Sequence, residues 1–140
     1  MNETNRTLRV LSLDGVQREF QLEVLHDFEA GREYWLYRVQ DPASADFYEG
    51  RFCALGVDRV QSVMLDAHTL RGQGVSEALF EVVVADLRRT LVSSRKEGTG
   101  EEDEWRSADA EKMWKRFVAK GLAKYDQAEG RYVFVLRSLI

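Results

Sequence analysis

Cysteine, proline and histidine are scarce in this chain of 140 residues, which has one, one and two of them respectively. A single cysteine, Cys53, excludes an intrachain disulfide. It lies in the run Arg51-Phe52-Cys53-Ala54-Leu55, where a small buried apolar residue is a plainer reading than a nucleophile. His26 and His68 are the only imidazoles, too few soft ligands for a zinc site, so no metal is expected. No apolar run nears the roughly 18 residues that cross a bilayer. The opening Met1-Asn2-Glu3-Thr4-Asn5-Arg6 is polar and does not read as a secretion signal. A cytoplasmic location without membrane contact is the expectation. Charge of one sign is not in excess either, with 24 acidic against 20 basic residues and a net charge of −4. That balance suits a soluble surface and speaks against a general nucleic-acid binder, which needs a strongly basic face. Apolar material is plentiful, at 44% of the residues. It suffices for one core in a chain of ordinary domain length. With no repeat and no linker, residues 1–140 are expected to form a single domain.

The first half, 1–58, reads as strands. Leu8 and Val10 alternate with polar neighbours, Asp14-Gly15 supplies a turn, and Phe20, Leu22 and Val24 alternate again over 18–25, which predicts a hairpin. Further strands are expected over 33–40, ended by Asp41-Pro42, over 50–55 and over 59–65. The period then changes. Val75, Leu79, Val82, Val83 and Leu87 form one apolar stripe of a helix that ends near Arg88 or Arg89. Thr90 to Ser94 is a short strand. Residues 95–106 hold two glycines and the block Glu101-Glu102-Asp103-Glu104, the composition of a mobile solvated loop. A second helix begins near Ser107, carries Ala110, Met113, Trp114, Phe117 and Val118, and ends at Gly121. A turn over 127–130 leads to a closing strand, 131–137.

The informative stretch runs strand, loop, glycines, helix. Arg71-Gly72-Gln73-Gly74-Val75-Ser76 lies where the strand ending at Leu65 gives way to the helix. Glycines let backbone amides approach a ligand closely, and the unsatisfied amides and positive dipole end of a helix favour an anion. Arg71 adds a positive charge at the mouth. The glycine spacing is neither a Walker A loop nor a dinucleotide fingerprint. A plain tight turn before a helix is the bland alternative.

Arg71-x-x-Gly74-x-Ser76 resembles the pyrophosphate loop of the GNAT superfamily of N-acyltransferases, whose motif reads Arg/Gln-x-x-Gly-x-Gly/Ala. The resemblance covers 59–137, the cofactor-binding half. It implies an α/β (α+β) fold with a mixed, mostly antiparallel central sheet, flanked by helices and splayed where acetyl-CoA lies. The pantetheine arm would pair with the backbone of Met64, Leu65 and Asp66. The pyrophosphate would rest on the amides of Gly72, Gln73, Gly74, Val75 and Ser76 beside Arg71. Ser76 departs from the usual Gly or Ala, and counterparts of the family's first two helices are missing from 1–58. Phe117 stands where the family's tyrosine acid often lies.

The implied activity moves an acetyl group from acetyl-CoA to a primary amine of a small molecule or protein. Asp66 and His68 are the candidate bases near the strand end, and Tyr125 is the candidate acid in place of Phe117. Each also has a plain reading: a loop aspartate, an exposed loop histidine, a packed aromatic. Ser93 and Ser94 are candidates to touch cofactor or substrate. A branched side chain at Gly74 is expected to block the ligand while leaving the fold intact. The rival readings are a GNAT-like binding protein without catalysis and an unrelated α/β protein. The acceptor is not legible, and a homodimer is compatible with either of the first two readings.

Overall fold

Five consecutive strands make up the first half of the chain, each hydrogen-bonded to the next. The computed structural model describes residues 6–11, 15–44, 46–66, 74–95 and 108–135, with side chains described at all but 64–66, 108 and 109. Strand β1 (Arg6–Leu11) pairs antiparallel with β2 (Gln17–Glu29), β2 with β3 (Arg32–Gln40), β3 with β4 (Phe47–Leu55), and β4 with β5 (Arg59–Asp66). The polar–apolar alternation of each strand sets this register, because a slip of one residue would turn the apolar face outward. After β5 come α1 (Val75–Leu87), β6 (Thr90–Ser93), α2 (Ala108–Ala119), β7 (Ala123–Asp126) and β8 (Arg131–Phe134). The sheet has eight strands in the order β1-β2-β3-β4-β5-β6-β8-β7. Among the described residues only β5 and β6 run parallel, and α1 is the crossover that such a pair requires.

Both described helices pack on one face. Alternation puts Tyr37, Phe52, Val60, Leu91 and Phe134 on that face, all buried. Phe80 of α1 is the hub, with ring centroids 5.6 Å from Phe52, 5.5 Å from Trp114, 5.4 Å from Phe117 and 5.7 Å from Phe134. The sequence stripe for α1 omits Phe80 and includes Val82 and Leu87, which are only partly buried. The arc is wider than the stripe because α1 packs against the sheet on one side and α2 on another. No described helix covers the opposite face, which carries Tyr34, Arg38, Phe47 and Arg51, with Arg51 4.1 Å over the Tyr34 ring and Arg38 4.6 Å over that of Phe47.

Several bounds differ from the sequence reading, among them the start of β4 at Phe47 and the end of β8 at Phe134. Strand β2 runs on to Glu29 and turns into β3 through Ala30-Gly31 alone, both at positive φ (53° and 78°). That is the backbone of a tight two-residue hairpin, whose usual signal is Asn-Gly. Strand β7 is absent from the sequence reading because its four residues bury only Ala123, leaving no alternation to see. Gly121 does end α2 at φ 75°, with Leu122 N donating to Phe117 O at 2.8 Å and Gly121 N to Val118 O at 3.0 Å, the paired bonds of a Schellman cap. The acidic segment 96–107, which holds all but one residue of the expected mobile loop together with Ser107, lies outside the described residues.

Candidate functional site

Helix α1 starts at Gly74, which sits at φ 80° and offers no side-chain cap. Positive φ is what an L side chain avoids, so glycine here is a backbone requirement. A Cβ at this position would also lie 3.2 Å from Leu11 O and 3.4 Å from Val10 Cγ1, so the helix start is seated against the end of β1. A branched residue at Gly74 is therefore expected to cost stability as well as to block a ligand. Val75 is buried in the core, and Ser76 Oγ donates to Tyr48 OH at 2.9 Å. Glu77, in the first turn, bonds Lys120 at 2.5 Å and lies 3.7 Å from Arg116. Burial pushes its carboxyl upward in pKa, but the Lys120 bond, its own backbone amide and the two cations outweigh this and hold it below the ordinary carboxylate range. His68, Arg71, Gly72 and Gln73 lie outside the described residues, and the side chains of Met64, Leu65 and Asp66 are not described.

Strand β5 runs further along β4 than along the four-residue β6. The parallel register runs from Arg59↔Thr90 to Ser62↔Ser93, whereas β5 stays paired with β4 as far as Glu49↔Asp66. The β4 register shifts between Arg51, opposite Met64, and Phe52, opposite Ser62. Val63 is therefore the extra residue of a bulge, and bulges bend a strand and strengthen its twist.

A buried polar cluster occupies the last shared rung of β5 and β6. Gln61, Ser62, Ser93, Ser94 and Arg131 are all at most 6% exposed. Ser94 Oγ donates to Ser62 O at 2.9 Å, Gln61 Nε2 donates to Ser94 Oγ at 3.3 Å, and Arg131 Nη1 donates to Gln61 Oε1 at 2.7 Å and to Ser93 O at 3.0 Å. Ser93 Oγ accepts from the Tyr132 amide at 2.9 Å. The cluster thus joins β5, β6 and β8. Above it Glu129 accepts two bonds from Arg59, at 2.9 and 3.0 Å, and lies 3.4 Å from Arg131 Nε. The Arg59 bonds hold the Glu129 carboxyl below its ordinary range, with Arg131 and Arg95 adding to the effect. Sequence reasoning raised the two serines but not Gln61 or Arg131.

Tyr125 lies on β7, opposite Tyr132 of β8, and its ring meets that of Tyr132 edge-on at 4.9 Å. With β8 between β7 and β6, it stands two strands from β6, roughly 10 Å at the usual strand spacing. The fold therefore does not bring Tyr125 together with the end of β5. Phe117 is fully buried among Phe80, Trp114 and Phe134, and Trp114 stacks on Tyr132 at 5.8 Å. Both α2 aromatics are core residues, as expected for them. Among the described residues no group of three or more His, Cys, Asp or Glu is placed to hold a metal ion, and no helix is long and apolar enough to cross a membrane. No family model, curated protein or solved structure matches the chain.

Proposed function

We propose that the chain binds acetyl-CoA and transfers its acetyl group to a primary amine of a small molecule or protein. The observation that carries this reading is the run of β5, a glycine-started helix and the parallel strand β6. Strand β5 stays paired with β4 as far as Asp66, beyond the residues it shares with β6, and its far end is where an extended amide-bearing arm would pair. The first-turn amides of α1 suit a pyrophosphate. Helix α2 and the hairpin of β7 and β8 follow, an order in keeping with the GNAT resemblance. Asp66 ends β5 and remains the candidate base on that strand.

A second reading, a GNAT-like protein that binds without catalysis, is favoured by one observation. Phe117 is sealed in the core with no proton to give, and Tyr125 stands two strands from β6. Titration calorimetry and thermal melting with acetyl-CoA, followed by a screen of amine acceptors, separate the two. A ligand that binds only the folded chain stabilises it by about 2.7 kcal/mol at a hundred times its Kd. A rise in Tm with acetylated product supports the transferase, and a rise without product in any acceptor class supports the binding protein. No rise at millimolar acetyl-CoA removes both.

A further inference from the structure

We propose that the outer edge of β1 binds an extended, acid-bearing peptide segment of a partner protein as a further strand of the sheet. This surface does not depend on the acetyl-CoA reading. Among the described residues β1 ends the strand order and is paired on one side only, with β2. The tight Ala30-Gly31 turn fixes which of its backbone groups are left over. Glu29 and Arg32, the pair that closes that turn, exchange both backbone bonds, and bonded pairs recur at every second residue. Odd residues of β2 therefore bond β3, while its even residues Leu22, Phe20 and Arg18 bond Arg6, Leu8 and Val10. Thr7, Arg9 and Leu11 point their N–H and C=O away from β2, toward the edge.

Helix α1 runs along this edge. Gly74 is seated against Leu11 at one end, and Asp86 accepts bonds from Arg6 at 2.6 and 3.1 Å at the other. The helical rise from Gly74 to Asp86 is about 18 Å, and the strand from Arg6 to Leu11 spans roughly 17 Å. Gly74, Ala78, Val82 and Asp86 form one ridge of the helix, in which Ala78 and Val82 are only partly buried. The helix roofs β1 so fully that Leu8 and Val10 are 3% and 1% exposed in an edge strand. A strand added beside β1 would lay every second side chain toward Ala78 and Val82, where apolar groups fit. Its other side chains would fall beside Thr7, Arg9 and Leu11 on the opposite face. Arg9 is 69% exposed, and its bond to Glu19 is an exposed pair that contributes little. Strand β1 holds two arginines and no acid, so a carboxylate opposite Arg9 would complete a ladder with Arg9 and Glu19. A second copy of the chain would put Thr7, another Arg9 or Leu11 of its own β1 opposite Arg9, never an acid. In this mode of recognition main-chain bonds supply affinity and alternate side chains select the partner.

The probe is the capped peptide Thr-Val-Glu-Val-Glu-Val-Thr, dye-labelled and titrated by fluorescence anisotropy. Thr7→Pro removes an N–H that β2 does not use and sets a ring at the edge, and should weaken binding about tenfold. Arg9→Glu should weaken it about fivefold and strengthen binding of the same peptide with lysines in place of the glutamates. Two further peptides carry N-methyl groups, one on the glutamate amides and one on the valine amides. Alternate N–H groups of a strand point to the same side, so one of these peptides should bind and the other should not. Melting curves of both variants confirm that folded protein is titrated. If Thr7→Pro does not fold, Arg9→Glu and the two methylated peptides decide. Binding indifferent to the folded variants, or lost equally with both methylated peptides, overturns the proposal, as does no binding at millimolar peptide. A wild-type dimer in sedimentation that Arg9→Glu or Thr7→Pro dissociates gives the edge to a second copy and overturns it too.

Discussion

Ser76 Oγ donates to Tyr48 OH at 2.9 Å, tying the first turn of α1 to strand β4 across the core. Tyr48 is 2% exposed, and its burial, partly offset by the Ser76 bond, pushes its pKa from 10.0 to about 12. The unfolded chain then loses this proton at lower pH than the folded chain. The stability linked to Tyr48 is whole below pH 10 and drains away as pH rises toward 12. Its size is on the order of 2 kcal/mol. Urea titrations from pH 8 to pH 12 should show the decline, and Tyr48→Phe should make it shallower. Tyr37, raised in the same direction by burial and by Asp86, accounts for a further part. An unchanged slope in Tyr48→Phe would contradict the assignment.

Substitution at Gly74 should cost stability before it costs binding. Gly74→Ala forces a Cβ into a positive-φ residue 3.2 Å from Leu11 O, and about 1–2 kcal/mol is expected from the backbone alone. Gly74→Val should cost more, since a branched side chain is worse in that region. Differential scanning calorimetry without ligand measures this directly. A ligand-binding defect in either variant is meaningful only after correction for the folded fraction.

Placing at 117 the tyrosine that the proposed acetyl-CoA reading would use as an acid should damage the protein. Phe117→Tyr puts a hydroxyl among Phe80, Trp114 and Phe134, in a site with no exposure. A buried hydroxyl without a partner costs about 1–3 kcal/mol. The expected outcome is a lower Tm and no gain in turnover. Higher turnover in Phe117→Tyr would show that the ring reaches the thioester after all.

Ala30 offers an improvement. It holds φ 53° in the two-residue turn between β2 and β3, a conformation that alanine resists and asparagine tolerates. Ala30→Asn should raise stability by roughly 0.5–1 kcal/mol, read as a higher urea midpoint at constant m. A lower midpoint would mean that the turn is not the left-handed one described.

Much of this fold could be read from local pattern. Leu8–Val10, Phe20–Leu22 and Trp35–Tyr37–Val39 alternate visibly and are buried where alternation puts them. The helix starting at Val75 and the glycine cap at 121 carry signals written within a few residues. The cluster on the last shared rung of β5 and β6 carried none. Gln61 and Arg131 are polar residues in strands, which pattern reading turns outward, and they meet across 70 positions of chain. Their burial comes from β6 and β8 converging on β5, a long-range arrangement that no window of sequence contains. Tyr125 shows the same limit in reverse. It stands shortly after α2 in sequence, yet the β7–β8 hairpin carries it outward, because β8 takes the place beside β6.

The order of the strands also implies an order of assembly. Strands β1 to β5 follow one another as neighbours, so each pairing closes a short loop at little entropic cost. Strand β6 must wait for α1 to cross over, and β8 must insert between β6 and β7 before Arg131 can reach Gln61. The meander is therefore the part able to nucleate, and the contacts of greatest sequence separation form last. Strands β5 and β6, whose last shared rung holds the buried polar cluster, are thus among the later pairs to meet, which makes that cluster a late product of folding.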